Sequence, residues 1–347
     1  IILLLICVLV FNSKKQGKDE KQEYGEKNVF NSNNEIKTAL TLNDKIQNDT
    51  IWCGTFQLLW NDLKNNLAKQ NIEFNPQKQV VKNLNEETFT INDISDKYYY
   101  KKIGVPTIQL KQEIENAINE TSNILDNFEW DKKSEKDYFL YAMLKKEFSF
   151  EKEFEDLEKG SFGSYEKVNY FGIRKNNDND KLREQVEVLY YNNKDNFAIK
   201  IKTKQEDEVM LCKNPKGNTF NEMYQNINQE KNNYSGSKVL EEKEILKVPN
   251  IKVNQKTEFE EIENEPFLFE NGDRYLIEKA LQTIQFDLDK KGGKIKSEAG
   301  MMINKADLLL GESREFAIDN TFAIFLKEEG KDNPYFAAKI DDITKFQ

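Results

Sequence analysis

The segments ALQTIQFDLDKKGG (280–293) and TFAIFLKEEGKDNPYFAAKI (321–340) decide how this chain reads. In the first, Ile284, Phe286 and Leu288 alternate with Gln285, Asp287 and Asp289. That period of two sends one strand face inward and the other to solvent. The strand-like run from Leu276 to Asp289 meets the glycine pair Gly292 and Gly293, where the missing Cβ allows the chain to change direction. The second segment holds two closing runs, Asn320–Lys327 and Asn333–Ile340, joined by a short polar turn. About thirty residues without a clear period separate the two segments, and a connection of that length usually carries function or no fixed structure.

Working outward, YFLYAML, EKVNYFGI, EQVEVLYY and NFAIKIKTK (within 138–204) are β-branched or aromatic and read as strands. NTFNEMYQNINQEKNN (218–233) predicts a short amphipathic helix, and SKVLEEKEILKVPNIKV (237–253) returns to strands. Nearer the start, Phe56, Leu59, Trp60, Leu63 and Leu67 make a helical stripe with Asp49 and Thr50 as candidate caps. A second helix is predicted over Leu110–Leu125, behind Pro106. Helices first, strands later and no βαβ alternation point to an α+β fold. No internal repeat is present.

The 347 residues are 38% hydrophobic, with 23 Phe and 14 Tyr, which suffices for one large core or two ordinary ones. A net charge of −10 argues against a nucleic-acid partner, since phosphate binding needs a basic surface. There is no histidine, which removes Ser-His-Asp and Cys-His triads and His-ligated zinc together. Three cysteines, Cys7, Cys53 and Cys212, do not make a disulfide framework; Cys53 and Cys212 read as buried thiols, able to pair only if the fold brings them close. No paired-carboxylate or glycine-rich phosphate motif stands above background. No catalytic residue, metal or cofactor is assigned, and an enzyme is not expected. One rival motif is the spacing of Asp287, Asp289, Gly292 and Glu298, which matches part of a calcium-binding loop. Lys291 and Lys294 stand where that loop needs an oxygen ligand and an apolar residue.

Residues 1–11 are continuously apolar, too few to span a bilayer. They read as the remnant of a signal peptide or as an N-terminal anchor. Residues 12–47 are polar and mixed in charge, a linker by composition. The folded domain is expected over 48–347.

Taken in order, these segments resemble the serpins. ALQTIQFDLDKKGG resembles that family's central strand running into the hinge of its reactive-centre loop, and TFAIFLKEEGKDNPYFAAKI its C-terminal hairpin. VPNIKV (248–253), EVLYYNNKDNFAIKIKTK (187–204) and LYAMLKKEFSFEKEFE (140–155) resemble strands before them. The resemblance implies N-terminal helices, a large mainly antiparallel sheet, the C-terminal hairpin and an exposed loop. It places the hinge at Lys290, Lys291, Gly292 and Gly293, with Lys290 where the family commonly has Glu. It places the scissile bond within INKADLLLGES (303–313): counting forward from the hinge lands near Ala306–Asp307, counting back from Phe322 nearer Leu309–Leu310. Lys305, Ala306, Asp307, Leu308, Leu309 and Leu310 are thus the bait. Thr55, Ala142 and Gln282 stand at the family's shutter, and Phe150 where its breach tryptophan belongs.

If the loop enters the sheet as a strand, register decides its fate. One register buries Lys294, Lys296 and Glu298, at several kcal/mol for each unpaired charge. The other, with the glycines absorbing one residue as a bulge does, turns Gly293, Ile295, Ser297 and Ala299 inward. The resemblance favours the second. It implies a monomeric inhibitor of a serine or cysteine protease, secreted or anchored at the cell surface by its N-terminus. A binding or structural protein on the same fold, its loop staying put, is the alternative.

Overall fold

The computed structural model describes residues 36–118, 124–131, 134, 136–175, 180–293 and 314–347. Its largest sheet has seven strands. In spatial order they are β1 (Lys37–Thr38), β2 (Thr50–Cys53), β19 (Phe336–Ile340), β18 (Phe322–Glu328), β10 (Asp207–Lys213), β9 (Asn196–Lys202) and β8 (Val186–Asn193). A four-stranded sheet holds β17 (Glu315–Ala317), β11 (Ile245–Pro249), β7 (Tyr165–Ile173) and β6 (Glu155–Phe162). The remaining strands are pairs: β3 (Tyr99–Gly104) with β4 (Phe139–Leu144), β12 (Ile251–Glu258) with β15 (Leu281–Leu288), β13 (Pro266–Leu268) with β14 (Arg274–Leu276), and β5 (Phe148–Ser149) with β16 (Gly292–Gly293).

The helices are α1 (Thr55–Asp62), continued by a π-helical turn over Leu63–Ala68, then α2 (Gln79–Asn85), α3 (Ile108–Ile118), α4 (Asp180–Glu184) and α5 (Phe220–Asn233). Helix α5 shows how local chemistry fixes an element. The Thr219 side chain accepts the Glu222 amide at 3.0 Å, and the Glu222 carboxylate takes the Asn218 amide at 2.7 Å, a reciprocal cap. Phe220, Met223, Tyr224 and Ile227, one helical face, are buried against Phe325 of β18. Every residue of β18 is buried, as a strand covered on both faces requires.

The strands expected over 138–204, the helix over 218–233 and the closing hairpin are all present, and the strands expected over 237–253 are found at 245–258. Three details differ. The chain is already packed at Ile36, the first described residue: Ile36, Leu40 and Leu42 are buried, and β1 pairs in parallel with β2, so residues 36–47, expected as linker, belong to the folded body. Its sparse apolar residues are enough once Asp44 closes the turn by accepting the Leu40 and Thr41 amides. Thr50 lies in a strand and caps no helix. Asp49 instead ties the two ends of the fold together, accepting the amides of Asp341 and Asp342 and the Lys345 ammonium at 2.7–2.8 Å. Helix α3 starts at Ile108, two residues before the expected Leu110, and is described to Ile118; Leu125, the expected end, stands in a 3-10 turn.

Candidate functional site: a hinge and two unzipped strands

β15 forms where the alternation predicted it, with Ile284 and Leu288 buried and Gln285 exposed. Phe286 is half-buried against Phe336, ring centroids 4.6 Å apart. Along one edge β15 pairs with β12 from Leu281↔Glu258 to Leu288↔Ile251. β4 pairs along one edge with β3. Among the described residues no backbone pairing joins β4 to β15. Their starts (Phe139 and Leu140; Ala280 and Leu281) line a cleft of about 810 Å³ that Leu59, Trp60 and Leu63 also line.

Beyond their other ends the gap is sealed. After β15 the chain makes a tight turn, Asp289 and Gly292 exchanging backbone hydrogen bonds at 2.9 and 3.2 Å with Lys290 and Lys291 at the tip. Gly292 and Gly293 then pair with Ser149 and Phe148, and the Phe150 and Phe154 amides donate to the carbonyls of Lys291 and Lys290, both at 2.9 Å. The Lys290 ammonium lies 2.6 Å from Asp156 and 3.4 Å from Glu153, and its hydrogen bond to Asp156 holds its pKa above the usual lysine value. Phe150 is 1% exposed, packed among Phe148, Phe154 and Phe171. Lys290 to Gly293, which the resemblance assigns to the hinge, therefore meet the segment of Phe150, which it assigns to the breach.

Gly292 has no substitute here. Its φ is +127°, and a Cβ would sit 2.4 Å from the Phe148 carbonyl oxygen and 2.7 Å from the Ser149 Cα. Gly292→Val is expected to break the β5–β16 pairing at a cost of about 2 kcal/mol. Faster amide exchange at Phe148, Phe150 and Gly293, with the seven-stranded sheet unchanged, is the measurement that checks it.

Of the three residues that the resemblance assigns to a shutter, Gln282 and Thr55 are in contact. Gln282, 4% exposed, donates its amide to the Cys53 carbonyl at 3.1 Å and to Thr55 Oγ1 at 2.6 Å, tying β15 to the start of α1. Its Oε1 is buried without a partner. Ala142 stands on β4 opposite Lys101 of β3 and has no side-chain hydrogen-bonding group. The neighbouring Cys53 thiol is pushed up in pKa by burial; Cys53 and Cys212 are both free.

Ile295, Ser297, Ala299 and the whole bait, Lys305 to Leu310, lie outside the described residues, as does Glu298 of the calcium motif. Among the described residues no cluster of three or more acidic or cysteine side chains could hold a metal. Sequence reading missed the partners of Lys290, whose only trace is the acid run Glu153, Glu155 and Asp156. It also missed Arg314, the first residue described beyond the hinge. That guanidinium donates to both Glu244 carboxylate oxygens, to Tyr234 Oη and to the Ser237 and Val239 carbonyls at 2.5–2.9 Å.

No protein-family model and no curated protein sequence matches the chain. Solved structures match it in shape. A tumour-suppressing serpin superposes with a TM-score of 0.51 at 11% identity, over 84% of this chain and 92% of its own. Serpin48 of the insect Tenebrio molitor (TM-score 0.45, 10% identity, 85% and 92% covered) and glycosylated human kallistatin (0.46, 11%, 85% and 91%) are also similar. The chain has the serpin fold, in the α+β class that its element order implied.

Proposed function

We propose that this protein inhibits a protease by loop cleavage and strand insertion, outside the cell or at its surface. One observation supports the reading: among the described residues β4 and β15 each pair with one strand only, their starts line a common cleft, and the chain beyond their other ends is joined by the β5–β16 pairing. A strand entering there from Gly293 would run antiparallel to both and satisfy both edges, a form of β-augmentation. The target's nucleophile attacks a carbonyl carbon between Lys305 and Leu310, the peptide bond breaks, and the nucleophile's proton passes to the freed nitrogen, leaving a new amino terminus on a downstream piece that stays in its sheets. The acyl-linked upstream part slides in with Gly293, Ile295, Ser297 and Ala299 inward, carrying the protease along. None of these steps asks for a catalytic side chain on this chain, in keeping with its lack of histidine.

The apolar residues 1–11 support export or anchoring, with residues 12–35 as the tether and the folded body, a monomer, from Ile36. No helix among the described residues is long and apolar enough to cross a membrane. A second reading, a binding protein whose loop stays out, is favoured by the Lys290–Asp156 clasp and by the orphaned Gln282 oxygen.

The test is a panel of serine and cysteine proteases incubated with the purified full chain and run on a denaturing gel. A band at the summed mass of chain and protease supports inhibition. Clean nicking within 294–313 by every active protease, with no such band, leaves the binding protein.

A further inference from the structure

A second polar centre lies where the chain passes from β4 to β5. Asp207, the first residue of β10, stands directly opposite Glu328, the last of β18, in their antiparallel register. Like charges so placed repel. Lys146 answers both, its ammonium 2.7 Å from Asp207 Oδ1 and 2.6 Å from Glu328 Oε1, with all three side chains no more than 8% exposed. The rings of Tyr98 and Tyr335 cover the ammonium at 4.0 and 5.1 Å. Ser95 donates its amide and hydroxyl to Glu328 Oε2, and Tyr335 Oη donates to Asp207 Oδ1. Asp207 Oδ2 is buried with no partner. The centre thus holds two carboxylates, one ammonium and one vacant oxygen.

We infer that Lys146, Asp207 and Glu328 form a proton-operated latch fastening the β4–β5 crossing to the end of the seven-stranded sheet, with Asp207 Oδ2 as the proton's seat. One proton there brings the buried centre to neutrality while the Lys146–Glu328 pair stays intact. A second, on Glu328, strands a buried cation and opens the latch. The surrounding charged groups are few: Lys97, whose ammonium lies over Tyr98 at 4.7 Å, and Glu206 near it.

The directions of titration agree. Burial raises the Asp207 carboxyl, with Lys146 offsetting only part. Burial would also raise Glu328, but hydrogen bonds from Lys146 and Ser95 outweigh it and the carboxyl sits low. With its folded pKa above the unfolded value, Asp207 adds stability as pH falls through the folded value, fully so below the unfolded one. Glu328, lowered, contributes stability above its unfolded value and loses it as pH falls through the folded value.

The test melts the full chain and its Asp207→Asn variant at a series of pH values running from alkaline, through neutral, down to the ordinary carboxylate range. Relative to the variant, which lacks the Asp207 carboxyl, the wild type gains as pH falls through the folded Asp207 value. The melting temperature of the variant minus that of the wild type therefore falls as pH drops, and a difference constant in pH overturns the latch. Lys146→Met, which leaves two carboxylates facing each other, is expected to melt on the order of 10 °C lower at neutral pH. Its amide exchange should quicken across 139–150 while β8 and β9 hold. Should that variant fail to fold, the Asp207→Asn difference still decides the matter.

Discussion

A single cut between residues 294 and 313 is expected to raise the melting temperature of the full chain by about 10 °C or more. Each residue entering between β4 and β15 makes up to two backbone hydrogen bonds, of about 1 kcal/mol each. Ordering its backbone costs about 1–2 kcal/mol. Those terms nearly cancel, so the sign rests on side chains: Ile295 and Ala299 turned inward, and apolar walls of the cleft such as Phe139 and Leu281 covered. A net gain of several kcal/mol corresponds to roughly 10 °C in a domain of this size. Calorimetry on intact and nicked protein measures it. A nicked form that melts at or below the intact one would sink strand insertion while leaving the fold untouched.

The second large effect is expected at Arg314. Replacing it by Leu removes five hydrogen bonds and leaves the Glu244 carboxylate, 4% exposed, without its cation. The cost of such a loss is about 3–5 kcal/mol. Arg314→Lys should recover only a fraction, because an ammonium cannot reproduce the planar fork. The double replacement of Arg314 and Glu244 by Leu should cost less than Arg314→Leu alone, since the buried charge then disappears with its partner. Denaturant unfolding of the three variants gives the comparison, and a double variant worse than the single one would refute the ion-pair account.

The fold was legible where side chains alternate or repeat cleanly: β15, the hairpin of β18 and β19, and α5. It was hidden where tertiary neighbours supply what the segment lacks. β10 is central, yet its apolar run, Val209 to Cys212, is short and flanked by charges that find partners only in the fold, among them Asp207 and Lys213. β6 reads EDLEKGSF, polar because most of it faces solvent. The site divides the same way. Gly292, Gln282 and Thr55 drew notice through resemblance to a known pattern. The partners of Lys290, the five-bond grip of Arg314 and the Lys146 centre join residues from tens to more than two hundred positions apart in the chain, and no local period encodes such meetings.

The position of β18 and β19 has a consequence for any cut in 294–313. These strands follow the cut, yet they sit inside the seven-stranded sheet between β10 and β2, while β17 lies along β11. The C-terminal piece is therefore woven into two sheets contributed mostly by the other piece. A nick there yields no smaller protein but a two-chain one, whose halves share a core and separate only on unfolding. Size-exclusion chromatography would miss the event that a denaturing gel reports. By the same logic, residues 314–347 supplied as a separate peptide should be able to complete the remainder of the chain.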